Sequence, residues 1–170
     1  MALIDQRGFI ADEWVNIDDE TPLAGESKVV VSLARYLDSI RHGNEHQGRV
    51  AVGLRVRNTT AAADLAPYLS EVELIAIDFP SSADGRAFSL ARQLRQLGFS
   101  AELRASGALI ADQFAFAIAC GFDTVQVPTA MSARQPEAQW RTALASIDSV
   151  YQAHYAGAGQ SILERRIAAR

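Results

Sequence analysis

Apolar and polar positions along the chain alternate between two periodicities. Apolar runs rich in β-branched residues predict strands at Val29–Val31, Arg49–Val56 and Val72–Phe79. Two weaker runs, Ser100–Ala105 and Asp123–Val127, predict two more. The pattern therefore predicts about five strands separated by other structure.

Helical periodicity fills the segments between these runs. The apolar spacing predicts helices over Leu33–Ile40, Ala61–Leu69, Gly85–Leu97, Ala108–Cys120 and Ala133–Tyr155, and Gly43 is expected to stop the first. Strands that alternate with helices through short links indicate parallel pairing by right-handed crossovers.

The run Ile75–Ile77 is apolar without alternation, as a strand covered on both faces must be. We therefore predict a single α/β domain over residues 1–170, with a mainly parallel open sheet of about five strands and helices on both faces. The alternative is a half-barrel of four βα units, because there are too few units to close an eight-stranded barrel.

The two ends of the chain have patterns of their own. Two short apolar runs around Gln6–Gly8 predict a small N-terminal hairpin, which we expect to be an appendage within residues 1–25. Residues 157–170 follow a glycine-rich hinge and contain a capping-box pattern, Ser161 to Glu164. This tail is expected to be either flexible or docked elsewhere on the protein.

Composition narrows the class of partner. The chain has 170 residues, 49% of them hydrophobic, which suits one core, and its net charge of −4 contains no basic block. Nucleic acid and anionic membranes are therefore not expected as partners. The single cysteine, the acidic N-terminus and the lack of a long apolar run predict a cytoplasmic protein without a signal peptide.

Charged residues cluster where the central predicted strand meets the next helix. Asp78 ends the strand, and Ser82 and Asp84 precede a helix whose first turn holds Arg86. Ligands of open parallel sheets bind beyond the carboxyl ends of the strands. Asp84 or Ser82 is either a helix cap or, with the free N–H groups of that helix, part of an anion site.

Neighbouring segments repeat this arrangement. Arg104 lies near the end of the next strand, Asp112 begins the following helix, and Arg55 and Arg57 close an earlier strand. Guanidinium groups beside helix N-termini can bind a small oxyanion or a carboxylate, because a planar guanidinium group donates two parallel hydrogen bonds to such a group. The alternative is a set of structural ion pairs that order loops.

Other chemistry has weaker support. Cys120 is predicted to be structural, and no zinc cluster, dinucleotide fingerprint or phosphate loop is recognisable, so the sequence predicts no cofactor site. Aromatic residues from Trp140 to Tyr155 form either a core face or the interface of a homodimer.

Several short motifs occur together in the middle of the chain. They are Phe79-Pro80, Asp84-Gly85-Arg86, Ser89 with Ala91-Arg92 and Leu94-Arg95, Glu102-Leu103-Arg104-Ala105 with Gly107, Asp112-Gln113, and Cys120 to Asp123. In these motifs the sequence resembles a bacterial family, domain of unknown function 934, over almost its whole length. Ser81, Ala101 and Ala119 depart from the family's usual residues.

Members of that family are commonly described as probable oxidoreductases involved in sulfite reduction. The resemblance implies an auxiliary role beside a siroheme-dependent assimilatory sulfite reductase, and it supplies no catalytic mechanism. In this first hypothesis Arg86, Arg92 and Arg104 lie near a surface that meets an anionic cofactor or partner. The second hypothesis is a small-molecule enzyme or carrier with its site between Asp78, Asp84, Arg86 and Arg104, and the third is a dimeric structural subunit.

Overall fold

Eight strands form one mixed sheet in the computed structural model, which describes residues 1–22, 25–42 and 50–145. Their order across the sheet is β2-β1-β8-β7-β6-β5-β4-β3, in which β3 to β8 run parallel and β1 is antiparallel to both β2 and β8. The strands are β1 (Ala2–Asp5), β2 (Gly8–Ile10), β3 (Val15–Asn16), β4 (Lys28–Ser32), β5 (Ala51–Val56), β6 (Leu74–Phe79), β7 (Glu102–Gly107) and β8 (Thr124–Val127). The prediction of five parallel strands is wrong, because the N-terminal segment adds strands to both edges of the sheet.

The helices largely follow the predicted positions, and most of them are shorter than predicted. They are α1 (Leu33–His42), α2 (Ala62–Leu65), α3 (Arg86–Gln96), α4 (Phe114–Cys120), α5 (Thr129–Arg134) and α6 (Glu137–Ala145). The predicted helix from Ala133 is interrupted before α6, because Pro136 lacks the N–H that a continuous helix needs. Its portion after residue 145, the tail 157–170 and Gly43 lie outside the described residues. None of the helices in the described ranges has the length and apolarity needed to cross a membrane.

The described helices pack on one face of the sheet. Strands β4 to β8 are adjacent in chain order, so each right-handed crossover returns its helix to the same side. The main core lies between this face, with residues such as Ile75 and Leu103, and helix residues such as Phe88 and Phe114. The prediction of helices on both faces is therefore wrong. We call the opposite side, which carries a separate small cluster around Trp14, the inner face.

Residues 11–14, which we call the strap, show that the sheet is curled. They join β2 at one edge to β3 at the other. A flat sheet would separate these strands by seven spacings of about 4.8 Å, or about 34 Å. The five Cα–Cα steps from Ile10 to Val15 span at most about 18 Å. The sheet therefore folds into a half-barrel, and the strap crosses its inner face. This confirms the half-barrel of the alternative prediction, although the described residues contain five strand–helix units rather than four.

Three side chains fasten the strap to the inner face. Asp12 accepts hydrogen bonds from β7 and β8, Glu13 accepts one of 2.6 Å from Lys28 Nζ, and Trp14 packs beside Leu74. A Cβ atom at Gly53 would lie 3.3 Å from the Trp14 ring and 2.9 Å from the Leu74 side chain, so the ring uses the space that this glycine leaves. The predicted hairpin forms, but β1 pairs with β8 and so joins the main sheet rather than standing apart.

Candidate functional site

A pocket of about 290 Å³ lies where β3, β4, β5 and β6 end. This is the edge at which half-barrels and open parallel sheets bind ligands, because loops and strand ends converge there. Its lining residues are Asn16, Ile17, Asp18, Asp19, Val30, Val31, Ser32, Arg55, Arg57 and Asp78. We call it the rim pocket.

One side of the rim pocket is basic. Arg55 and Asp78 lie on the inner face, and the Arg55 Nε donates a 2.9 Å hydrogen bond to Asp78 Oδ1. The Arg55 Nη nitrogens donate to none of the described residues, and Arg57 forms no ion pair within them. Asp78 thus orients Arg55 beside a second guanidinium, which leaves several N–H donors for an oxyanion.

The opposite side is acidic and rigidly held. The Ile17 N–H donates to the Val30 carbonyl at 2.9 Å, and the Thr21 N–H closes a turn onto the Asp18 carbonyl at 3.0 Å. The same carbonyl accepts a hydrogen bond from Arg35 Nη1, and Arg35 is itself buried. These hydrogen bonds fix the backbone of the turn, and its exposed residues Asp18 and Asp19 line the pocket.

Asp84 and Arg86 pair with each other at the start of α3. Arg86 donates from Nε to Oδ1 at 2.9 Å and from Nη2 to Oδ2 at 2.6 Å, and its backbone N–H also donates to Asp84. Neither residue lines the rim pocket. The pair orders the connection between β6 and α3.

Arg104 lies deep on the inner face, where it is only 2% exposed. It donates to both carboxylate oxygens of Asp12, at 3.0 and 2.8 Å, and from two nitrogens to Glu102. Gln126 donates to the same Asp12 and accepts from Ser106. These partners engage all three nitrogens of the guanidinium group. Because Asp12 belongs to the strap, Arg104 fastens the strap to the inner face.

The other candidates belong to the helix layer. The Arg92 guanidinium stands over the Phe116 ring, 5.6 Å from its centroid. Asp112 lies in the 3-10 turn before α4, exposed and outside the rim pocket. Cys120 is buried in the core, and this burial raises the pKa of its thiol. Trp140 is fully buried against Phe114. At this position the aromatic residues therefore form a core face, one of the two predicted alternatives.

Of the predicted candidates, Asp78, Arg55 and Arg57 line the rim pocket, where Asp78 pairs with Arg55, and Asp84, Arg86, Arg92, Arg104 and Asp112 do not line it. The acidic side, Asp18 and Asp19, was missed. Its place depends on the pairing of β3 with β4, and a strand of two residues leaves no periodic pattern to detect.

The Asp84–Arg86 pair leads to a pH prediction. Hydrogen bonds from Arg86 hold the pKa of Asp84 well below its usual range, with a smaller effect in the same direction from the nearby Asn58 amide. A depressed pKa stabilises the fold above the unfolded-state value, and this contribution is lost as the pH falls further. In a ¹³C NMR titration the Asp84 carboxylate should stay ionised to a pH well below the ordinary pKa of an aspartate. The Arg86→Gln variant should return it towards an ordinary pKa, and an unchanged titration curve would contradict the assignment.

Together these features define an α/β half-barrel with a mixed-charge pocket at the carboxyl ends of its strands. The chain belongs to the family described as bacterial protein of unknown function (DUF934), whose model matches residues 53–160. No curated protein matches the sequence significantly. The basic side of the rim pocket, Arg55 and Arg57 with Asp78, lies inside the matched range, and the acidic side precedes it. Within the described residues, no three His, Cys, Asp or Glu side chains are grouped to hold a metal ion.

Proposed function

We propose that this protein is an accessory protein of assimilatory sulfite reduction that binds a small anionic ligand in the rim pocket. The pathway is supported by the resemblance described above, in which such proteins accompany a siroheme sulfite reductase. The ligand class is supported by the pocket. The observation that carries it is the pair of guanidinium groups, Arg55 and Arg57, of whose donors only the Arg55 Nε is used by the described residues, in its hydrogen bond to Asp78.

The pocket favours binding over a purely structural role for these arginines. Arg55 and Asp78 are 58% and 30% exposed at their side chains, and exposed ion pairs contribute little to stability. Arg104, by contrast, donates its hydrogen bonds to partners inside the protein, Asp12 and Glu102. A ligand oxyanion would supply the missing acceptors for Arg57 and the Arg55 Nη groups without displacing an internal partner.

Calorimetric titration of the purified chain with sulfite, sulfate and acetate tests the ligand class. We expect at least one to bind, and Arg57→Gln to weaken it by about tenfold or more, since a charge-assisted hydrogen bond contributes about 1.5–3 kcal/mol. Arg134→Gln is the matched control, because Arg134 is an exposed arginine that lines a separate apolar pocket near the end of β8. Equal losses in the two variants would argue against the rim pocket.

Growth tests address the pathway separately. A strain that lacks this protein should grow poorly with sulfate as the sole sulfur source and normally with cysteine. The wild-type chain should restore growth, and Arg57→Gln should restore it less well. Normal growth of the deletion strain on sulfate would refute the pathway assignment and leave the binding result unaffected.

A further inference from the structure

We infer that the ligand of the rim pocket is a small zwitterion, with an oxyanion group held by Arg55 and Arg57 and an ammonium group held by Asp18 and Asp19. This inference rests on the proposed function, because it uses the same pocket and the same anion contacts. It adds the acidic side, which an anion alone would leave unused.

The two arginines and the two aspartates that are unpaired within the described residues lie on opposite sides of the pocket, and Asp78, which pairs with Arg55, lies with the arginines. Asp18 and Asp19 follow β3, the two arginines belong to the end of β5, and β4 lies between these strands. Two strand spacings of about 4.8 Å place the two sides about 10 Å apart at the backbone. The floor between them is formed by Val30, Val31 and Ser32 of β4. The pocket therefore presents two guanidinium groups and two carboxylates on opposite sides of β4.

The two carboxylates of the acidic side are unpaired in the described part of the chain. The side chains of Asp18 and Asp19 form no hydrogen bond or ion pair with the described residues. Arg35 approaches the same turn but donates to the Asp18 backbone carbonyl. An exclusively anionic ligand would be repelled by these carboxylates, whereas an ammonium group would be attracted to them. Discrimination against simple anions follows from this repulsion.

The size of the pocket limits the ligand. A volume of about 290 Å³ is at the lower end of the range for small-molecule sites. Small amino acids and amino sulfonates combine an oxyanion, an ammonium group and a short carbon chain. They share the chemistry that the two sides would recognise.

Matched ligands test the inference by calorimetry on the full chain. Glycine, β-alanine, γ-aminobutyrate and taurine are each compared with the acid and the amine of the same carbon skeleton. We expect one zwitterion to bind at least about tenfold more tightly than its acid, as one well-placed charged contact allows. Taurine against β-alanine distinguishes a sulfonate from a carboxylate.

Asp19→Asn and Asp18→Asn should reduce the affinity for that zwitterion to the level of its acid and leave the affinity for the acid unchanged or higher. Glu20→Gln is the matched control, because Glu20 is an exposed neighbour that does not line the pocket. This inference would be overturned if an acid bound as tightly as its zwitterion and Arg57→Gln abolished the binding of that acid. The proposed function would then still stand. Binding of Mg²⁺ at the aspartates, in place of an ammonium group, would likewise overturn this inference and leave the proposed function standing. Absence of binding by every acid and zwitterion would remove the proposed function as well.

Discussion

Replacing Gly107 with alanine is expected to cost several kcal/mol of folding free energy and to leave little folded protein. Gly107 ends β7 with φ of 130°, a conformation that side chains rarely adopt. A Cβ atom there would lie 2.3 Å from the Phe79 carbonyl oxygen. That oxygen belongs to the backbone of the neighbouring strand and already accepts a hydrogen bond from the Ala108 N–H, so it cannot move aside. Backbone strain of about 1–3 kcal/mol is thus added to a steric clash.

Gly98→Ala separates these two costs. Gly98 also has a positive φ, 94°, but a Cβ atom there would meet nothing within 4 Å. Urea denaturation followed by circular dichroism should show a loss of about 1–2 kcal/mol for Gly98→Ala. The loss for Gly107→Ala should be clearly larger, and equal losses would show that β6 and β7 are not as close as described.

Arg104→Met is expected to destabilise the protein by about 3 kcal/mol. The substitution removes the cation from between Asp12 and Glu102, which leaves two partly buried carboxylates without their partner. Loss of one partner from a buried ion pair costs about 3–5 kcal/mol. The lower figure applies here, because these carboxylates retain 24% and 25% exposure.

Arg55→Met is the control for this substitution on the same face of the sheet. Its ion pair with Asp78 is exposed, so the loss should stay below about 1 kcal/mol. Hydrogen exchange supplies a second measurement. In Arg104→Met the amides of residues 11–14 should exchange faster, since Asp12 loses its main contact, and in Arg55→Met they should not. Unchanged exchange in both variants would show that Arg104 does not hold the strap.

The inner face explains why Asp78 and Arg104, two residues of the predicted site between Asp78, Asp84, Arg86 and Arg104, contact different partners. Arg104 and Asp78 share this face, but the register pairs Ala76 with Arg104 and Asp78 with Ser106. Arg104 turns to the strap and Asp78 turns to Arg55. Both partner choices depend on segments distant in sequence, which the local pattern at each residue does not reveal.

Local sequence patterns determined much of this protein by themselves. The apolar run of β6, the amphipathic spacing of α3 and the strand-helix alternation predicted an α/β domain with parallel strands, because burial on one or two faces imposes a period on the sequence. The placement of Asp78, Arg55 and Arg57 at the ends of strands followed from the same periods.

Only the tertiary structure decided the curvature of the sheet, the path of the strap and the acidic side of the pocket. Each depends on the N-terminal segment, which reaches both edges of the sheet and carries Asp12, Trp14, Asp18 and Asp19 to partners far along the chain. Such contacts join residues that share no local period, so their positions are set by chain closure and by strand pairing across the whole sheet.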